Sequence, residues 1–355
     1  MLPGCARQLV QPANLDFLQV NAFLGSEIDA RALKSGLELG LVDFLQRNGA
    51  TPLAVLGREL RVSPAGLGLL SDLLASNAVL VRAGDVVALT TEFEAGLRFR
   101  DLLECRIAFA DLVWPDIHEL FTPLLTDLPR FMARSKVFEL FRYDRCFEIT
   151  AENLEATRAW TQFTTCLTKY EAAPALDMIG IDDVERLIDF GGNTGEFALQ
   201  ACRRNPSLQA TVLDLPVVCE LGRQHIARSA GPRLAGRIGF FPGDMRTGPL
   251  PSPADLVSFK SVLHDWPDAD ARQLIERAHL AVRPGGKLVI FERAPINLAG
   301  RRLPYALFPA LAFVHFLRPA ELYLTTLAEV GFEAIDHCAI ELDMEFHLIT
   351  AHRPA

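Results

Sequence analysis

The stretch LIDFGGNTGEFAL, Leu187 to Leu199, decides how the second half of the chain reads. A hydrophobic run carries an acid, Asp189, near its end. A glycine-rich turn follows, and then apolar residues recur at helical spacing. That is how a strand, loop and helix read at a nucleotide site. A dinucleotide fingerprint needs G-x-G-x-x-G. Its three positions here hold Gly191, Asn193 and Glu196, so it fails. A phosphate-binding P-loop needs Gly-Lys followed by Ser or Thr, and that fails too. What stands there is Asp189 with Gly191, Gly192 and Gly195, which permit close backbone approach. Glu196 comes next, where an acid competes with a phosphate for the positive end of the helix dipole. The loop suits a ligand that is cationic or zwitterionic beside its nucleoside.

The following strands support such a ligand. TVLDL places Asp214 at a strand end, 23 residues past Gly191, with Leu215 after it. An acid there accepts both ribose hydroxyls. FFPGDM places Gly243, Asp244 and Met245 at the end of the third strand. Asp244 is suited to accept from an adenine amino group, and Met245 to pack on its face. Each acid alone reads as a cap or turn residue; three in register at successive strand ends read as a binding site. S-adenosylmethionine, with a sulfonium, an ammonium and no phosphate, fits this chemistry.

Outward from that loop, strands are expected at 186–190, 210–214, 237–241, 255–260 and 286–292, with helices between them. This is a doubly wound, mostly parallel α/β sheet. Two more runs, 332–338 and 345–351, are expected to form an antiparallel hairpin on its edge, making seven strands. Before residue 100 the pattern differs. A helix is expected over 28–45, then two more opening at Thr51-Pro52 and Ser63-Pro64, then a hairpin around Ala83-Gly84-Asp85. Helix, helix, helix, hairpin is a winged-helix order. A DNA-reading helix there would run from Pro64 to Ser76, which has no Lys or Arg, and phosphate contacts need cations. A protein–protein or scaffold role fits better. Residues 100–180 read as helical and aromatic. The expected division is 1–105, a winged-helix-like dimerisation domain; 106–180, a helical linker and pocket lid; and 181–355, a Rossmann-like ligand-binding domain.

Bulk properties exclude several classes. With 35 basic and 44 acidic residues the net charge is −9, unlike a polyanion-binding protein. Seven cysteines, an odd number without a CxxC pair, read as reduced and cytoplasmic. The opening MLPGCARQLV looks in part like a lipoprotein cleavage site, but no charged or apolar region precedes it. The most apolar window, 303–317, is broken by Pro304, Pro309 and His315 and falls short of the ~20 apolar residues of a bilayer span. No membrane segment is expected.

With SFKSVLHDWPD and RPGGKLVIFE added to the stretches above, the region 187–293 resembles the small-molecule O-methyltransferases of the plant caffeate/chalcone type and their bacterial natural-product relatives. The segments ALKSGLELGLVDFL and LLSDLLASNAVL are similar to that family's winged-helix dimerisation domain. The resemblance implies a class I methyltransferase fold, a homodimer, S-adenosylmethionine as cofactor and a small-molecule acceptor. It implies cofactor contacts from Gly191, Asp214, Asp244, Met245 and Lys260. Asn193 stands where the family usually has a glycine, and asparagine also tolerates left-handed geometry.

His264, in LHDW with Asp265, matches the family's general base. The chemistry agrees: a phenol titrates near 10 and an imidazole near 6.5, so a hydrogen-bonded neutral histidine takes the proton as attack begins. Glu292 matches one of two glutamates that flank the base; the second position falls near Leu317, which is apolar. Trp160, Phe163, Trp266 and His315 are candidates to line the acceptor pocket. Two other readings stay open. His264, Glu292 and His315 also compose a 2-His-1-carboxylate set. With a divalent metal, and with Arg142 and Arg145 on a carboxylate, they would suit C-methylation of a 2-oxo acid. A protein that keeps the fold without methyl transfer is the other.

Overall fold

The computed structural model describes residues 8–12 and 14–355. Cys5 and the start of the lipoprotein-like opening lie outside the described residues. The chain forms two compact units. One comprises 14–115 with 298–311; the other comprises 116–297 and 312–355 together with the N-terminal strand. The segment 106–180, expected as one linker and lid, is thus divided at Pro115 between the two.

In chain order the elements begin with strand β1 (Gln8–Val10), then helices α1 (Glu27–Glu38) and α2 (Leu41–Asn48), strand β2 (Thr51–Pro52), helices α3 (Leu53–Glu59) and α4 (Pro64–Ser76), and strands β3 (Leu80–Ala83) and β4 (Val86–Leu89). The single helix expected over 28–45 is two. Gly40 takes a left-handed φ of 76° between α1 and α2, which residues with a side chain rarely adopt. Ser63 caps α4 by accepting from the Gly66 amide at 3.2 Å, and Pro64 occupies the first turn. Gly84 turns β3 into β4 at φ 66°, and β2 adds a third strand to this small sheet.

The second unit is built on an eight-stranded sheet. Helix α5 (Thr91–Gly96), in the first unit, leads to α6 (Arg100–Thr126), which runs on into the second; α7 (Leu128–Arg134), α8 (Lys136–Leu140) and the 29-residue α9 (Ala151–Ile179) follow. Strands and helices then alternate: β5 (Arg186–Phe190), α10 (Glu196–Arg204), β6 (Gln209–Asp214), α11 (Pro216–Ser229), α12 (Pro232–Ala235), β7 (Ile238–Pro242), β8 (Ala254–Lys260), α13 (Asp268–Ala281), β9 (Val282–Arg293), α14 (Ala320–Val330), β10 (Glu333–Glu341) and β11 (Glu345–His352). The order across the sheet is β1-β10-β11-β9-β8-β5-β6-β7. Strands β5 to β9 pair in parallel, and β11 is antiparallel to both neighbours. The expected seven strands are therefore joined by an eighth, β1, which pairs parallel to β10. Three residues carry too little pattern to announce a strand; the pairing is set by the tertiary partner.

Inner strands such as β5 and β8 are buried along almost their whole length, as parallel strands covered by helices on both faces must be. The chain runs from β5 to β6 and β7 on one side, then returns to β8 on the other. That reversal is the topological switch point, and the carboxyl ends beside it form the crevice where such sheets bind ligands. The loop after β5 lies there.

Candidate functional site

The loop is shaped by contacts that leave no room for side chains. At Gly191 (φ 61°) a Cβ would sit 2.9 Å from both Val262 methyls; at Gly192 it would sit 2.4 Å from Asp189 Oδ2. Asn193 takes a left-handed φ of 54° in its place between the glycines. Its amide donates to Asp214 Oδ2 at 2.8 Å, and its Nδ2 donates to Thr164 Oγ1 on α9 at 2.6 Å. Gly195, at φ 80°, precedes α10.

Two acids meet at this loop; among the described residues no cation is bonded to either. Asp189, fully buried, accepts from the Ser258 hydroxyl at 2.6 Å through Oδ1, while its buried Oδ2 has no partner. Burial pushes its carboxyl up to about 7. Asp214 accepts from the Asn193 and Leu215 amides, and burial raises it to about 6. A carboxylate has about four lone-pair sites, so two remain on Asp214. Donors without negative charge satisfy such a group, as a ribose diol would. Glu196, 5 % exposed, is held by Gln200 and His225.

The third strand end carries an ion pair that the sequence does not announce. Asp244 is forked by Arg246, whose Nε donates to Oδ1 at 3.1 Å and Nη2 to Oδ2 at 2.9 Å. The same guanidinium lies 4.2 Å from the centre of the Trp266 ring, a cation–π contact. The Gly243 amide donates to the Asp214 carbonyl at 2.9 Å, tying the second and third strand ends together. Met245 is mostly buried in the core beneath the site, with Phe190, Leu213 and Leu263. Lys260 is also committed elsewhere: its ammonium donates to Thr168 Oγ1 at 3.1 Å and to the Glu171 carboxylate, which also binds Arg293. Its side chain is thereby part of a buried ion network from α9 to β8 and β9.

On the β8 side, a short 3-10 turn, Leu263–Asp265, carries His264. Glu292, fully buried at the end of β9, takes three donors from this turn. Oε2 accepts from His264 Nδ1 at 2.6 Å, and Oε1 accepts from the Val262 and Leu263 amides, each at 2.7 Å. The first bond puts the proton of the neutral ring on Nδ1 and leaves Nε2 as the basic nitrogen. Burial pulls the imidazole pKa down, but the charges of Glu292 and Asp265 outweigh it, so it lies above the ordinary histidine value. Asp265 Oδ1 is 3.4 Å from Nε2, and its Oδ2 accepts from the Tyr143 hydroxyl at 2.8 Å.

Tyr143, unforeseen in the sequence, sits between two expected pocket residues: its ring centre is 5.7 Å from Trp160 and 5.8 Å from Trp266. Trp160 is buried against Phe141 and the Val217–Leu221 face of α11. Phe163 is half-buried on α9. His315 is not brought to the base: its Nε2 donates to the Leu124 carbonyl at 2.6 Å. Among the described residues no three His, Cys, Asp or Glu side chains are grouped to hold a metal ion. This arrangement gives the facial-triad reading no support: Glu292 is turned onto His264 Nδ1 and two amides, and His315 onto a backbone carbonyl. Arg142 pairs with Asp144 and Glu139, and Arg145 donates to backbone carbonyls, so neither is held for a substrate carboxylate.

A parallel sheet with an acid-lined glycine loop at its switch point and a carboxylate-oriented histidine after the next strand defines a class I, S-adenosylmethionine-dependent methyltransferase fold. The O-methyltransferase domain model matches residues 129–306, and the chain belongs to that family. It is 30% identical over 276 residues to the N,N-dimethyltransferase OxyT of Streptomyces rimosus, covering 74% of each chain. It is 37% identical over 126 residues to 3-hydroxy-5-methyl-1-naphthoate 3-O-methyltransferase of Streptomyces sahachiroi, covering 36% of this chain and 35% of the relative. The first curated relatives it matches are thus spanned over only about a third of their length, 34% to 37%. A solved O-methyltransferase family protein from Burkholderia thailandensis shares the fold, with a TM-score of 0.69 at 21% identity over 92% of this chain and 94% of that one. Among the described residues no helix is long and apolar enough to cross a membrane.

Proposed function

We propose that the protein transfers a methyl group from S-adenosylmethionine to a hydroxyl of a small aromatic acceptor in natural-product biosynthesis, with His264 as general base. The observation that carries this reading is the engagement of Glu292 by His264 Nδ1 and two turn amides, which supports a ring orientation with Nε2 as the base. The cofactor, when bound, supplies an electrophilic methyl group on a sulfonium. Asp214 holds two lone pairs for its ribose, and the unpartnered Asp189 Oδ2 offers the loop an unpaired polar atom. His264 takes the acceptor proton at Nε2, and the resulting imidazolium is stabilised by Glu292 and Asp265. Tyr143, Trp160 and Trp266 give a flat acceptor aromatic surfaces to pack on.

Calorimetry with S-adenosylhomocysteine tests the first half: binding at about −8 kcal/mol, low micromolar, is expected. Asp214→Ala should weaken it by about 1.5–3 kcal/mol through lost charge-assisted hydrogen bonds. Absence of binding to the wild type would leave a non-methylating protein on this fold. We infer also a cytoplasmic homodimer formed through the N-terminal unit, where Ile28, Leu39, Leu69 and Val81 expose apolar side chains. A monomer by light scattering at tens of micromolar would refute that assembly.

A further inference from the structure

The turn that carries His264 is gripped from two sides. Glu292 takes its amides, as described. Its carbonyls go to a different residue, Arg318, which is 8% exposed and lies just before α14. Arg318 Nη1 donates to the Leu263 carbonyl at 2.7 Å, and Nη2 donates to the Trp266 carbonyl. These two carbonyls flank His264 and Asp265. Nε donates to Asp268 Oδ1 at 2.7 Å, but the Asp268 side chain is 71% exposed, so that ion pair is screened and contributes little. The substance of the contact is a buried guanidinium on buried backbone.

The residue type follows from the acceptors. Three of them, in different directions around one plane, match the rigid donor fork of a guanidinium; a lysine ammonium is a point charge and cannot span them. The backbone of Arg318 is anchored in turn. Its carbonyl accepts from His347 Nε2 at 3.2 Å, and His347, 4% exposed, accepts through Nδ1 from His337 Nε2 at 3.3 Å. A chain of contacts from the β10–β11 hairpin therefore reaches the turn that holds the base.

We propose that Arg318 is a positioning residue for His264: it fixes the carbonyls of residues 263 and 266 so that Nδ1 meets Glu292 and Nε2 stays free as the base. This inference rests on the reading of His264 as the base. A merely structural arginine would steady the start of α13 without affecting the imidazole.

Nitrogen-detected NMR of the histidine side chains separates the two, with His264→Gln assigning the His264 signals. In the wild type, His264 should show the Nδ1-H tautomer with a strongly downfield Nδ1 proton, the mark of the short bond to Glu292. Arg318→Lys and Arg318→Met should broaden or lose that signal and mix the tautomers, while affinity for S-adenosylhomocysteine stays within about twofold. In Arg318→Ala, guanidinium ion below denaturing concentration should restore the signal. If Arg318→Met does not fold, as judged by circular dichroism, the lysine variant decides. An unchanged His264 tautomer and titration in a folded variant would overturn the role of Arg318. A wild-type His264 found protonated at Nε2 would instead sink the base assignment, whatever the Arg318 variants do.

Discussion

Arg246 and Asp244 form a two-point fork at the end of β7, with the guanidinium stacked over Trp266. Asp244 Oδ1 takes two donors, the Arg246 amide and Nε, while Oδ2 takes one. One lone pair on Oδ2 thus remains for an amino group such as that of adenine. We propose that Arg246 orients this acceptor for the ligand and does not displace it. Arg246→Ala should weaken S-adenosylhomocysteine binding by about 1 kcal/mol, roughly fivefold, and Asp244→Ala by more. Tighter binding in Arg246→Ala would mean that the arginine competes for the site.

Asp189 makes the unliganded protein less stable as pH rises. In the unfolded chain its carboxyl ionises near 3.8; in the folded chain it holds its proton to about 7 because it is buried. Between these values the folded state keeps a proton that the unfolded state has lost, so raising the pH favours unfolding. Asp189→Asn removes this dependence. Its stability relative to wild type should improve from pH 4 to pH 7, by up to about 4 kcal/mol. A constant difference between the two denaturation curves across that range would refute the assignment.

His264→Ala should lower turnover of a phenolic acceptor by about 10²–10⁴ with unchanged cofactor affinity. Glu292→Gln should be comparably damaging for a subtler reason. Its oxygen can still accept from Val262 and Leu263, but its amide then donates to His264 Nδ1 and drives the proton to Nε2, the nitrogen needed as base. In the wild type the acid limb of the rate profile should lie above the ordinary histidine value, because His264 must lose its proton to act and its pKa is raised.

Chelators should leave activity intact, since His315 Nε2 is engaged by the Leu124 carbonyl and, among the described residues, no three such side chains are grouped to hold an ion. His315→Ala should cost about 1 kcal/mol of stability through the lost bond to the Leu124 carbonyl, with turnover near wild type. Equal loss in the His264 and His315 variants, with one metal ion found per chain by elemental analysis, would restore the metal reading.

How far the sequence shows these arrangements depends on their range. The core strands are legible because burial on both faces makes each a continuous apolar run, and the expected 186–190 matches β5. Asp189, Asp214 and the Gly191 loop are legible because their spacing is local. His264 and Glu292 stand at strand ends 28 residues apart, so their pairing is read from the fold class and not from the residues alone. Arg246, Tyr143, Glu171 and Arg318 escape notice for the opposite reason. Their partners lie 2, 122, 89 and 55 residues away, and isolated arginines and tyrosines carry no periodic signal. Even the close Arg246–Asp244 pair reads simply as a charged turn until the indole above it is seen. The break at Gly40 was available in principle, since a glycine inside a helical pattern is a recognised punctuation.

The three residues of β1 have a consequence larger than their length. They cover the outer side of β10, whose ladder would otherwise end in open amides and carbonyls along Cys338 to Ile340. An uncovered strand of that kind is a template for other chains. A protein shortened past Val10 keeps every residue of the cofactor loop and the base turn, yet it gains an adhesive border. Its expected fate on concentration is precipitation or fibre-like association, with catalysis per folded molecule unchanged; the segment that does no chemistry is what keeps the molecules apart.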